Sequence, residues 1–202
     1  MTHPIPPVDK ILDLFGRLGG TLFLGEPVSQ TEHALQTAWL AEQANATPIM
    51  VAAALLHDVG HLLASGTEPP VTTTSGDPDH AETGAAFLAD GFPPALVEPI
   101  RLHVAAKRYL CTVEPGYPAL LTPAARLSLE PQGGLMTPAE AAAFLATPFA
   151  AEALQLRRWD EMARVPSLAT PSLAHFRPCL EAAAGLHHDP GSNPGPNPGQ
   201  SH

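Results

Sequence analysis

Apolar residues along this chain fall mostly at three- and four-residue spacing, the period of helices packed on one face. Residues 8–18, VDKILDLFGRL, carry such a stripe and predict a first helix. GGTLFLGEP then reads as a turn or loop. Ser29 and Glu32 have capping-box spacing and open a helix through about Ala44. Thr47-Pro48 is a cap and first-turn pair, and it opens the helix that carries His57. A polar loop, SGTEPPVTTTSGDP, covers residues 65–78. Asp79 starts a helix through Leu88 with His80 near its beginning. Pro93-Pro94 opens the next, through about Leu110, with His103 inside and Pro99 as the place for a kink or a late start.

Residues 112–136 are rich in loops, with a short helical piece at Pro123–Leu127 and a Gln-Gly-Gly turn at 132–134. Thr137-Pro138 with Glu140 caps another short helix. Pro148 opens one through about Arg164 that carries Asp160, and a last helix runs from Pro171 to Ala184. Strand signals are weak: VTTT at 71–74 is β-branched but isolated. There is no internal repeat. The pattern gives an all-α fold, one bundle-like domain over residues 1–184. From Gly185 the sequence is Pro/Gly/Asn-rich and has almost nothing to bury, so residues 185–202 read as a disordered tail. His187 and His188 fall in it and read as solvated.

Composition narrows the class. The chain has 202 residues, 45% of them hydrophobic, which is enough for one domain with a sizeable core. No run of 18 uncharged apolar residues occurs, so no membrane span is expected. The start, MTHPIPPVDK, lacks the basic-then-apolar pattern of a secretory signal, and the cytoplasm is the default location. Cys111 and Cys179 are too few for a disulfide framework. The formal charge is −10 with ten Lys and Arg, which argues against nucleic-acid binding but not against a small anionic substrate. Four of those ten come as two pairs, Lys107-Arg108 and Arg157-Arg158.

The candidate chemistry sits in HDVGH, residues 57–61, with VAAALL before it and LLA after. Burying His57 beside Asp58 is costly unless something compensates, and a metal ion does so. A lone histidine on an apolar helix is ordinarily a packed core residue. Here His33, His57, His80 and His103 are separated by 24, 23 and 23 residues, one on each of four successive helices. Four inward imidazoles converge in a bundle core. Asp58 and Asp160 bring the set to six protein ligands, which suit two metals with Asp58 bridging. Nitrogen and carboxylate ligation without thiolate favours iron, manganese or zinc over copper(I). His61 lies four residues after His57 on the same face, as a ligand, a donor behind the ligands or a substrate contact. His61, Lys107 and Arg157 around such a centre suit a phosphate, phosphonate or carboxylate.

These residues, with GEPVSQTEHALQTAWLAEQ, DHAETGAAFL, LHVAAKRYLC, LEPQGG and LRRWDE, resemble the HD-domain superfamily, and within it the phosphonate-degrading diiron oxygenases. The likeness runs from about Gly25 to Leu180. It implies a mixed-valent Fe(II)/Fe(III) pair, one iron on His33, His57, Asp58 and Asp160, the other on Asp58, His80 and His103. It implies dioxygen as co-substrate and cleavage of the C–P bond of a small organophosphonate, giving phosphate and a carboxylic acid. His61, Lys107 and Arg157 match the family's phosphonate contacts, and Glu26 matches a contact to the substrate's amino end. Two positions depart from the aminophosphonate members. Phe23 replaces a tyrosine that can reach iron, and Ala125 replaces a serine that helps hold the phosphonate, with Ser128 three residues away.

Two other classes compete. A metal-dependent HD phosphohydrolase acting on a phosphate ester or nucleotide shares the His-Asp pair, but a mononuclear one needs neither His80 nor His103. Gly116-Tyr117-Pro118 matches a motif of cyclic-dinucleotide phosphodiesterases, but the His-His-Glu run that should precede it is absent. A non-catalytic binding module usually loses ligands, and none is lost here. The chain gives no sign of its oligomeric state.

Overall fold

The computed structural model describes residues 8–20, 27–65 and 79–185. Every regular element among them is a helix: α1 (Val8–Leu18), α2 (Gln30–Gln43), α3 (Pro48–Leu56), α4 (Val59–Ser65), α5 (His80–Leu88), α6 (Pro94–Val113), α7 (Tyr117–Leu120), α8 (Pro123–Leu127), α9 (Pro138–Ala146), α10 (Ala150–Met162) and α11 (Leu173–Ala183). Most of the expected polar loop, including VTTT, the tail with His187 and His188, Phe23 and Glu26 lie outside the described residues. Among the described residues, no helix is long and apolar enough to cross a membrane.

The caps act as their residue types dictate. The Ser29 hydroxyl accepts from the Glu32 amide at 3.2 Å while the Glu32 carboxylate accepts from the Ser29 amide at 2.7 Å. Thr137 and Glu140 build the same reciprocal pair on α9. Thr47 caps α3 and Thr122 caps α8, each with a proline in the first turn. Asp79 stands at the start of α5 without a side-chain cap bond.

Helix α3 is apolar all round, and Val51 through Leu56 are all buried. It is the central post: α2, α6, α10 and α11 pack against it. Ile11 and Phe15 of α1, Leu55 and Leu56 of α3, Leu96 and Ile100 of α6, Leu156 of α10 and Phe176 and Leu180 of α11 share this main core. A second core joins Ala106 of α6 to Phe144 of α9 and Ala153 of α10, and a third joins Leu110 and Cys111 to Tyr117 and Ala125. No disulfide forms: Cys111 is buried and Cys179 half-buried, both as free thiols.

The structure corrects several boundaries. The helix opened by Thr47-Pro48 does not run through His57; it stops at Leu56, and His57-Asp58 form the turn before α4. The His57 ring binds the Ala54 carbonyl in the last turn of α3 at 2.9 Å, so the break aims both side chains inward together. Helix α10 starts at Ala150 rather than at Pro148, because Phe149 adopts a left-handed backbone (φ 65°) just before it. It ends at Met162, and Arg164 lies beyond it. The segment read as loop at 117–120 is the short helix α7. Pro99 neither delays nor divides α6.

Candidate metal centre

Five elements deliver six side chains to one point. His33 comes from the first turns of α2, His57 and Asp58 from the α3–α4 turn, His80 from the first residue of α5, His103 from the middle of α6 and Asp160 from the last turn of α10. Gly60 makes the α4–α5 approach possible: a Cβ there would lie 2.0 Å from the His80 carbonyl oxygen. The glycine of HDVGH therefore sets how close His80 comes to Asp58.

Asp58 divides the cluster in two. Its Oδ2 stands 3.5 Å from His33 Nε2 and 3.4 Å from His57 Nε2, while its Oδ1 stands 3.5 Å from His80 Nε2 and 3.7 Å from His103 Nε2. His33, His57 and Asp58 form one candidate triad, and Asp58, His80 and His103 the other. Asp160 Oδ1 closes on the first, 3.2 Å from His33 Nε2 and 3.7 Å from His57 Nε2. Metal–ligand bonds of about 2.1 Å place neighbouring ligand atoms about 3.0–3.4 Å apart, close to these separations.

The donor set fits metal on chemical grounds as well. His33 Nδ1 lies 2.8 Å from the Ala163 carbonyl, His57 Nδ1 2.9 Å from that of Ala54 and His103 Nδ1 2.7 Å from that of Ile100. A carbonyl only accepts, so these three Nδ1 atoms carry a proton and each ring turns its Nε2 inward. Those inward nitrogens meet at 3.1 Å in the His33–His57 pair and 3.0 Å in the His80–His103 pair, with carboxylates beside them. Acceptors this close need a cation between them, a proton or a metal.

The electrostatics say the same. Burial alone lowers the His57 imidazole, but Asp58 and Asp160 prevail and carry it up to about 10, so a metal ion entering here displaces a proton. Burial opposes charge on Asp58 and Asp160 too. Yet the surrounding rings, and for Asp160 the Arg157 and Arg164 guanidiniums, hold both carboxyls well below the usual range. Burial and the nearby His80 hold His103 well below an ordinary imidazole, and push His61 down to about 3. His61 stacks on His80 with ring centres 4.0 Å apart, the place of a neutral neighbour to the centre.

The two basic pairs split. Lys107 is only 2% exposed, and its ammonium donates to Ser128 Oγ at 2.8 Å, to the Ala125 carbonyl at 3.3 Å and to Gln132 Oε1. Burial, with Arg157 adding like charge, lowers it to about 7. Arg157 is buried and donates to Asp160, to Glu161 and to the Tyr117 hydroxyl. Their sequence neighbours face outward: Arg108 binds the Gly133 and Gly134 carbonyls, and Arg158 pairs with Glu114. Ser128 thus takes a place beside Lys107 where Ala125 offers only its carbonyl.

Sequence reading missed Gln36, Tyr117, Gln132, Glu161 and Arg164. Spacing held a signal for three of them. Gln36 is one turn after His33, Glu161 lies four residues after Arg157 and Arg164 four after Asp160, all positions on a shared helical face or its extension. Gln132 lies in the LEPQGG turn, whose Gly133 and Gly134 take φ of 104° and 63°. Tyr117 stood out only within Gly116-Tyr117-Pro118, and that match gave no hint of its contact with Arg157.

Comparison with known proteins supplies the family context. The HD domain model matches residues 31–130. The chain is 43% identical over 178 residues to hydroxymethylphosphonate dioxygenase of Gimesia maris, covering 87% of this chain and 89% of the relative. It is 37% identical over 180 residues to the glycine-betaine-forming 1-hydroxy-2-(trimethylamino)ethylphosphonate dioxygenase of Leisingera caerulea, covering 89% and 91%. An uncharacterized protein of Acanthamoeba polyphaga mimivirus is 32% identical over 178 residues, covering 88% and 81%.

Proposed function

Because this chain belongs to the HD-domain phosphonate dioxygenase family, we propose that it cleaves the C–P bond of a small 1-hydroxyphosphonate with dioxygen. One dioxygen is consumed for each phosphate and carboxylic acid formed. The observation that carries this reading is Asp58, whose two oxygens face two separate histidine pairs. A mononuclear hydrolase has no use for the second pair.

In this reading His33, His57, Asp58 and Asp160 hold one iron, and Asp58, His80 and His103 the other. The mixed-valent Fe(II)/Fe(III) pair, when bound, supplies oxygen activation and electron transfer. The chain's own residues do the rest. Asp58 sets the spacing between the half-sites. The buried rings exclude bulk water, which protects reactive species. His61, held neutral, offers an imidazole N–H to a substrate oxygen. Lys107 and Arg157 take the phosphonate. Three contacts occupy Arg157, leaving two of a guanidinium's five N–H groups for an anion. The Lys107 ammonium releases its longest bond, to Ala125 at 3.3 Å, to meet a phosphonate oxygen. Glu26 is assigned to a cationic end, in substrates that have one.

The acidic balance, −10 overall, fits a small anion drawn to a local cationic pocket better than a nucleic acid. Two free thiols suit the reducing cytoplasm. One HD-type domain over residues 1–184, followed by a short tail, is the simplest organisation.

The test is protein purified without oxygen, assayed for iron and for phosphate release from hydroxymethylphosphonate and 1-hydroxy-2-(trimethylamino)ethylphosphonate, with and without dioxygen. Two irons per chain and oxygen-dependent phosphate release are expected. Phosphate released from an ester without oxygen, and none from either phosphonate, would make the protein a hydrolase instead.

A further inference from the structure

We infer that Gln36 is a positioning residue for His33, acting through the segment Ala163–Val165 that follows α10. Gln36 lies three residues after His33 on α2 and is 1% exposed. Its carboxamide grips one residue at two points: Nε2 donates to the Val165 carbonyl at 2.8 Å, and Oε1 accepts from the Val165 amide at 3.0 Å. Two opposed bonds fix the amide's orientation, because a flip would set donor against donor and acceptor against acceptor.

The segment so held does two jobs for the first half-site. The Ala163 carbonyl accepts from His33 Nδ1 at 2.8 Å, which sets the ring's tautomer and its rotation. Arg164 donates to Asp160 Oδ1 at 2.7 Å. Residues 163–172 form no helix, and the Val165 side chain is largely exposed, so hydrophobic burial does little to hold Val165 in place. The Gln36 amide is what ties it to α2. One face of α2 therefore presents both the ligand and the clamp on that ligand's hydrogen-bond acceptor. No comparable clamp joins α2 to the His80–His103 pair among the described residues.

The inference rests on the reading of His33 as a metal ligand, so its test reads metal binding rather than turnover. Metal-free protein is titrated with Co(II) by calorimetry, with helix content checked by circular dichroism. Wild type is expected to take two ions. Gln36→Met should weaken one site about tenfold or more and leave the other unchanged, the usual effect of losing an outer partner. The weakened site should be the one lost in His33→Ala, and Gln36→Met should add nothing in that background. Gln36→Glu keeps the acceptor for the Val165 amide and loses the donor, so it should weaken the same site, and it serves if Gln36→Met does not fold. Equal weakening of both sites, no weakening, or a full additional effect in His33→Ala overturns the role of Gln36. Wild type that fails to bind two ions overturns the binuclear reading beneath it.

Discussion

The half of the cluster around His33 and His57 is built differently from the half around His80 and His103. The first gathers two imidazoles and an oxygen from each of two carboxylates, Asp58 and Asp160, and Asp160 is itself held by Arg157 and Arg164. The second gathers two imidazoles and the other oxygen of Asp58. Two carboxylate oxygens favour the ion of higher charge, and the paired arginines keep that excess of negative charge tolerable in a buried place. Among the described residues the second half has fewer donors, which would leave an ion there more positions for ligands from outside. One shared carboxylate thus joins a closely held site to a more open one, which is how a bundle can anchor one ion firmly and leave its partner reactive.

The largest test of this asymmetry is its shared member. Asp58→Ala removes the only side chain common to both triads, so both halves should fail and the distinction between them should vanish. Iron per chain should fall towards zero, and activity by more than the roughly 100-fold that loss of an outer partner costs. Metal analysis of the purified variant decides it. Two irons retained would mean that Asp58 does not bridge.

Gly60→Ala should separate the halves. The new methyl meets a backbone oxygen, not a yielding side chain, so α5 must move away and take His80 with it. Such overpacking costs about 1–3 kcal/mol of stability. The His80–His103 site should weaken while the His33–His57 site keeps its ion. Calorimetric titration of the metal-free variant should show one site near wild-type affinity and one weak. Two unchanged sites would show that the close contact of α4 on α5 does not set the second half.

The asymmetry was only partly legible in the chain. Evenly spaced histidines and the buried His-Asp pair marked the residues that cluster because each is expensive inside an apolar element, and caps such as Ser29–Glu32 and Thr47-Pro48 marked where most helices begin. The break after Leu56 was hidden because VAAALLHDVGHLLA has no proline or glycine at the junction itself, and the turn is held by side chains that meet only in the fold. Gln36 and Arg164 were hidden for a related reason: their partners lie 129 residues away or across a helix end. Lys107 and Arg108 look alike in sequence, and only packing turns one inward.

Lys107 gives a smaller and more selective effect. It follows His103 by one turn of α6, yet its charge faces Arg157 and Asp160, beside the first half-site. Lys107→Ala should leave both irons in place and lower kcat/KM about 10- to 100-fold through KM, the range for a lost hydrogen bond to a charged group. Because burial lowers this ammonium to about 7, the free enzyme loses its charge as pH rises through that value. Anion affinity should therefore decline above pH about 7. Stability runs the other way. The unfolded chain binds the extra proton between about 7 and the ordinary lysine value of 10.5, so this group's contribution grows with pH across that window. A pH profile of kcat/KM without a break near 7, or a Lys107→Ala variant with unchanged KM, would remove the lysine from the substrate pocket.

The smallest effect belongs to the residue next to the proposed anion contacts. Arg157 and Arg158 are adjacent on α10, but the turn of a helix sends one guanidinium to Asp160 and the other to Glu114 at the surface. The Arg158–Glu114 pair is roughly two-fifths exposed on both sides, where solvent screens the attraction and ordering long side chains offsets much of it. Arg158→Ala should change stability by no more than about 0.5 kcal/mol and leave iron content and KM as they were. Arg157→Ala takes one of its two arginines from a buried carboxylate, so Asp160 should become more basic and the first half-site should change along with anion binding. Thermal unfolding, metal analysis and KM on the two variants place the boundary of the site between neighbouring residues. If Arg158→Ala raised KM as much as Arg157→Ala, the cationic pocket would extend through the helix surface, and the closely held half of the centre would not end at α10.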